Sequence, residues 1–130
     1  MRYHLMLVLV FIPALSGLLA QSDITPIVSS ALKKGDAETL SSFFTPSVEL
    51  TVMGKEGVFQ EDEARKILGQ FFKENTPQSF TVKHQGTSKL DDQFRIGDLT
   101  TQKGVFRVTY FMKKSNNAFQ IKQLKIEPAG

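Results

Sequence analysis

The stretch SFTVKHQGTSKLDDQFRIGDLTTQKGVFRVTYFMKKSNNAFQIKQLKI, residues 79–126, decides the fold. Apolar and polar residues alternate through it with the period of two that a strand needs, in four runs separated by short polar turns. Phe80, Val82 and His84 share one face of the first run, which reaches Gly86. Phe94 and Ile96 open the second run after a turn at Asp91-Asp92, and Lys103-Gly104 turns the chain into a third, Val105 to Met112. Ser115-Asn116-Asn117 is a hairpin turn, after which Phe119, Ile121, Leu124 and Ile126 belong to the fourth. The parity breaks between Ile121 and Leu124, and again from Ile96 to Leu99 across Gly97. Each break predicts a β-bulge, and paired bulges bend an antiparallel sheet strongly.

Upstream, Ile24, Ile27, Val28, Ala31 and Leu32 recur on one helical face, with Pro26 in the first turn and Gly35 as the stop. Asp36 can cap a second helix lined by Ala37, Leu40, Phe43 and Phe44 and ended by Thr45-Pro46. Val48 to Val52 alternates, and Gly54-Lys55-Glu56-Gly57 separates it from Val58-Phe59, which predicts a small hairpin. Glu61-Asp62-Glu63 suits the first turn of a third helix whose buried stripe is Ala64, Ile67, Leu68, Phe71 and Phe72. The expected class is therefore α+β: three N-terminal helices packed on a strongly curved antiparallel sheet, with a small hairpin between the second and third helices.

A chain of 130 residues has material for one core, and eleven Phe can bury much apolar area in it. The formal charge of +3 falls by one if Arg2 is removed, too little for an electrostatic footprint on nucleic acid. Arg2 and His4, the apolar run Leu5 to Ile12 and the small residues before Gln21 have the layout of a secretory signal peptide. Cleavage after Ala20 would leave one domain, residues 21–130, exported to a periplasm or beyond the cell, with no stable membrane anchor. The absence of Cys excludes disulfides, thiolate chemistry and a lipidated cysteine.

Phe71-Phe72, His84-Gln85-Gly86, Ile96-Gly97-Asp98-Leu99-Thr100-Thr101, Gly104-Val105-Phe106-Arg107-Val108 and Gln123-Leu124-Lys125-Ile126-Glu127 carry a resemblance to a known family. Over the whole mature chain the sequence resembles an uncharacterised family of small exported bacterial proteins, a domain of unknown function with a nuclear-transport-factor-2-like, cystatin-like fold. The resemblance implies a cone-like fold and an export route, and no activity. Its wider superfamily holds dehydratases, isomerases and polyketide cyclases beside members that only bind a ligand or a partner, so the fold cannot choose among them.

No motif demands a particular chemistry. His84 is the one His after the signal segment and the best acid-base candidate, and Asp98 could orient it from a neighbouring strand. Strict alternation puts Asp98 on the face of Phe94 and Ile96, whereas a bulge at Gly97 would turn it outward. Tyr110, on the face of Phe106, Val108 and Met112, could donate to an oxyanion or simply pack. Together the three would make a lyase or isomerase. The reading with fewer demands is a pocket between the third helix and the concave sheet face, lined by Phe71, Phe80, Val82, His84, Phe94 and Tyr110, that binds a small apolar or amphipathic ligand without chemistry or cofactor. Arg95, Arg107, Lys83, Lys122 and Lys125 would give the strands a basic face, and the open sheet face offers a third reading, a homodimer or interaction module. Metal binding has no support, because Glu61-Asp62-Glu63 is explained by the helix dipole.

Overall fold

The computed structural model describes residues 23–130, and the expected signal segment, residues 1–20, lies outside them. The elements in chain order are α1 (Thr25–Lys34), α2 (Ala37–Ser41), β1 (Phe44–Val52), β2 (Lys55–Gln60), α3 (Glu61–Glu74), β3 (Pro77–Thr87), β4 (Gln93–Thr101), β5 (Gly104–Ser115) and β6 (Ala118–Pro128). Gly35 ends α1 in the left-handed conformation. Asp36 then caps α2, its Oδ1 accepting from the Thr39 amide at 3.0 Å and its Oδ2 from the Thr39 hydroxyl at 2.7 Å.

Helix α2 stops sooner than its apolar stripe suggests. Phe44 already belongs to β1, because its core position can be reached from a strand as well as from a helix. Pro46 is tolerated in that strand because the pairing of β1 with β6 is irregular between Phe44 and Glu49, so no regular ladder bond is lost there. The hairpin turn is also tighter than the Gly54–Gly57 spacing suggests. Met53 and Gly54 form it alone, both with positive φ (51° and 87°), so that Val52 pairs with Lys55. That is the two-residue loop whose twist matches the strands.

The hairpin is not a separate feature. The six strands form one sheet in the order β2-β1-β6-β5-β4-β3. Its β1–β6 pair is parallel and the other four pairs are antiparallel. Val48, Leu50 and Val52 of β1 thereby join the inner face beside Leu124 and Ile126 of β6. Helices α1 and α3 cover this inner face, α1 against β3 and α3 against β1, and α2 packs on both of them. Between them the interior is filled: Phe71 of α3 meets Phe106 of β5 edge-on at 5.1 Å, and Leu68, Leu99, Val108 and Tyr110 are fully buried.

The bulge expected between Ile121 and Leu124 is present, with Lys122 the extra residue opposite the Phe111–Met112 step. It lets Ile121, Leu124 and Ile126 all face inward. The bulge expected at Gly97 is not in β4, which pairs with β5 in unbroken register from Gln93 to Thr101. The extra residues are in the neighbouring strand instead, at Gln78 and Lys83 of β3. Leu99 faces in by ordinary alternation, together with Arg95, Gly97 and Thr101, and so Phe94, Ile96 and Asp98 face out.

Gly97 is fixed by close approach. A Cβ there would come within 2.5 Å of the Thr81 carbonyl oxygen and 2.6 Å of the Phe80 ring, which lies over it. The backbone contact cannot be relieved by a rotamer change, so Gly97→Ala should lower stability by about 1–3 kcal/mol or more, measured by urea unfolding. The ordinary glycine-to-alanine gain would indicate that β3 can move away.

Candidate functional site

The bulge at Lys83 decides where His84 points. Phe80 and Val82 lie opposite Leu99 and Gly97 on the inner face, but the extra residue shifts His84 opposite Ile96 on the outer face. His84 therefore does not share a face with Phe80 and Val82. It is exposed, and with Lys83, Ile96, Asp98 and Arg107 it lines a shallow concavity of about 360 Å³ on the outer face. Asp98 is thus brought to the same side as His84, yet no hydrogen bond or ion pair joins them among the described residues. Asp98 lies directly opposite Arg107, which lies directly opposite Glu127.

Tyr110 is on the other side of the sheet, fully buried among the core residues. The three groups of the acid-base arrangement are therefore divided between two faces and cannot act on one substrate. The Tyr110 hydroxyl has no hydrogen-bond partner, and burial pushes the phenol up to about 12. Thr25, beside it, donates its hydroxyl to Asp23 Oδ1 at 2.6 Å and accepts from Arg95 Nε at 2.9 Å, and its second lone pair draws the phenol's pKa downward, against the larger effect of burial.

Arg95 is the polar residue that sequence reasoning put on the wrong face. It is buried inside, where its guanidinium also donates to the Phe94 carbonyl and to Gln93 Oε1, and lies 3.6 Å from Asp23. This knot fastens the start of α1 to β4. Burial works against the Asp23 charge, but bonds from the Thr25 hydroxyl and amide, with Arg95 beside them, outweigh it and hold the carboxyl below its usual 3.8. The expected basic face loses a second member as well, since Lys122 pairs with the buried Asp92. Lys83, Arg107 and Lys125 remain outside, interleaved with Asp98 and Glu127.

A well-formed depression lies at the seam between α3 and the β1–β2 turn. It holds about 450 Å³, within the range of small-molecule sites. Val52, Met53, Ile67 and Phe71 supply apolar lining, and Lys55, Lys66, Glu63 and Glu74 bring charges of both signs to the rim. On α3 the lining runs from Glu63 to Glu74 at helical spacing, about 16 Å along the axis. Of the residues expected to line a pocket, Phe71 does so. Phe80 and Val82 pack at the inner margin of β3, Phe94 sits outside, and Tyr110 is sealed in the core. Met53 carried no sequence signal beyond being apolar beside Gly54, because its role depends on the turn. No cluster of three or more His, Cys, Asp or Glu side chains is placed to hold a metal among the described residues.

A curved six-stranded sheet with three helices defines a small α+β domain of the cystatin-like class, as in a domain of unknown function from Nostoc punctiforme. That structure is 13% identical, with 91% of this chain and 80% of that chain covered at a TM-score of 0.65. The chain belongs to DUF4783, a domain of unknown function whose family model matches residues 25–127. Among solved members, the protein from Bacteroides uniformis is 30% identical with a TM-score of 0.76, covering 83% of this chain and 99% of that one. The protein from Bacteroides ovatus is 33% identical with a TM-score of 0.73, covering 79% and 93%. No curated protein matches the chain.

Tyr110→Phe removes a buried hydroxyl that has no partner, so stability should be unchanged or raised, by up to about 1–3 kcal/mol; a clear loss in thermal unfolding would reveal a hidden bond. The Thr39 bonds likewise hold Asp36 below 3.8. Both Asp23 and Asp36 are depressed in the folded state, so what they contribute is complete above the unfolded value and drains away as pH falls through the folded ones. Melting temperature should therefore decline below pH 3.8, and the Asp23→Asn/Asp36→Asn double variant should show a shallower decline.

Proposed function

We propose that this protein is an exported, non-catalytic binding domain that holds the apolar part of a small amphipathic molecule in the groove between α3 and the β1–β2 turn. The observation that carries this reading is Met53. A large apolar side chain stands at the groove mouth, 50% exposed, on a backbone with φ of 51°, a conformation that Asn or Gly adopts more readily. Folding alone gives no reason for Met in that place, whereas contact with an apolar ligand does. Ile67 and Phe71 form the wall opposite, and the charged rim can meet the polar end of the molecule while the groove stays open to solvent.

Native mass spectrometry of the mature protein, taken from its exported pool, should show a reproducible additional mass. Titration with straight-chain alkyl carboxylates and alkyl amines should then identify the preferred head group. Met53→Asn separates folding from binding: it relieves the turn, so melting temperature should hold or rise while affinity falls. Ile67→Lys should abolish binding. A protein with no bound mass, and with no affinity for either series, would exclude the groove as a ligand site.

A further inference from the structure

The chain has four methionines. Met1 and Met6 fall in the expected signal segment, and the described residues hold the other two, Met53 and Met112. The fold treats these two oppositely. Met112 is 1% exposed, facing inward from β5 among the core residues, whereas Met53 is 50% exposed at the mouth of the groove. The turn around it is open: a Cβ on the adjacent Gly54 would meet no atom within 4 Å, so small solutes can reach the Met53 thioether. Its backbone is nonetheless held, because the Met53 amide donates to the Ile126 carbonyl at 3.1 Å and Val52 pairs with Lys55 across the turn. With no Cys and no Trp in the sequence, no thiol or indole of this chain competes for an oxidant.

We infer that Met53 is a reversible oxidation site through which the groove gives up its ligand. The oxidant is a peroxide, which converts a thioether to a sulfoxide. With hydrogen peroxide, the Met53 sulfur attacks one oxygen, and the S–O bond forms as the O–O bond breaks. The other oxygen leaves as hydroxide and takes the proton of the new S–OH group, so the products are the sulfoxide and water. The sulfur gives up two electrons and the peroxide receives them. Methionine sulfoxide reductases reverse the change, a dithiol closing to a disulfide while the sulfoxide oxygen leaves as water. The sulfoxide is polar, so the groove loses the apolar surface that Met53 offers to a ligand. The fold loses little, since Met53 is outside the core cluster and an exposed turn ordinarily carries a polar side chain. Ligand release rests on the groove being the binding site proposed above, whereas the selectivity for Met53 over Met112 rests on exposure alone.

Limited treatment with hydrogen peroxide, followed by peptide mass mapping, should add a single oxygen to Met53 and leave Met112 unmodified, with the melting temperature held. Dodecanoate and dodecylamine, titrated separately into untreated and oxidised protein, read the groove. The one that binds should bind the oxidised form roughly tenfold more weakly or worse. Treatment with the two methionine sulfoxide reductases, one for each sulfoxide epimer, and dithiothreitol should restore the affinity. In Met53→Leu the affinity should be the same before and after peroxide, and Met53→Gln should bind as the oxidised form does without any treatment. Oxidation of Met112 alongside Met53 in the folded protein, unchanged affinity once Met53 alone is oxidised, or a peroxide effect that persists in Met53→Leu would overturn the switch and leave the groove reading standing. If neither amphiphile binds the untreated protein, the groove reading fails and the switch falls with it.

Discussion

Among the surplus residues of the sheet, Lys83 in β3 and Lys122 in β6 govern which side chains meet the helices. A strand that curves across a domain cannot keep one parity for its whole length and still bury every apolar residue, and a bulge resets the parity at the cost of one unpaired residue. In β6 the reset keeps Ile121 in the core alongside Leu124 and Ile126. In β3 it works the other way: Phe80 and Val82 close the inner layer over Gly97, and His84 is sent outside. Lys83 and Lys122 have long stems that can leave a sheet surface and reach water. Without the reset in β3, His84 would take the inner-face position opposite Arg95 that Gln85 now holds, at the exposed edge of the sheet.

The architecture was legible because each element has a strong local signal. The Asp36 cap, the stripe from Ala64 to Phe72 and the Asn116-Asn117 turn are short-range features, and each forms where its residues say. The faces of the central strands were harder to read. Phe94 and Ile96 look like core residues, yet Arg95 and Gly97 between them hold the inner positions. The decision was made by residues farther along β4, since Leu99 and Thr101 share the parity of Arg95, and by a bulge in the neighbouring strand that no pattern within β4 can announce. The parallel pairing of β1 with β6 brings together residues more than seventy positions apart. Of the candidate pocket only the α3 wall was visible in advance, because the opposite wall is a turn whose geometry places Met53.

Arg95 shows how a charge can occupy the inner face without a fully buried ion pair. Its fork is satisfied by a hydroxyl, a backbone carbonyl and an amide oxygen, and the carboxylate nearest it, Asp23, is 58% exposed on its side chain. The group therefore stays hydrogen-bonded while its counter-charge keeps most of its water, which avoids the desolvation that makes buried pairs weak sources of stability. The Tyr110 hydroxyl lies at the margin of this network, beside a Thr25 oxygen that keeps one lone pair after accepting from Arg95.

The filled interior also dictates where a ligand could go. With Phe71, Phe106 and Tyr110 occupying the concave side, the groove of about 450 Å³ lies where two layers part, at the point where the β1–β2 hairpin ends against α3. A turn at such a place would ordinarily carry Asn or Gly at its first position and a polar side chain in solvent. This chain breaks both rules at Met53, with a large side chain on a left-handed backbone and an apolar surface left half exposed. Sequences keep local and global preferences consistent except where another requirement overrides them. A residue that violates a backbone preference and a burial preference together, at the mouth of an open groove, is where that requirement is to be sought.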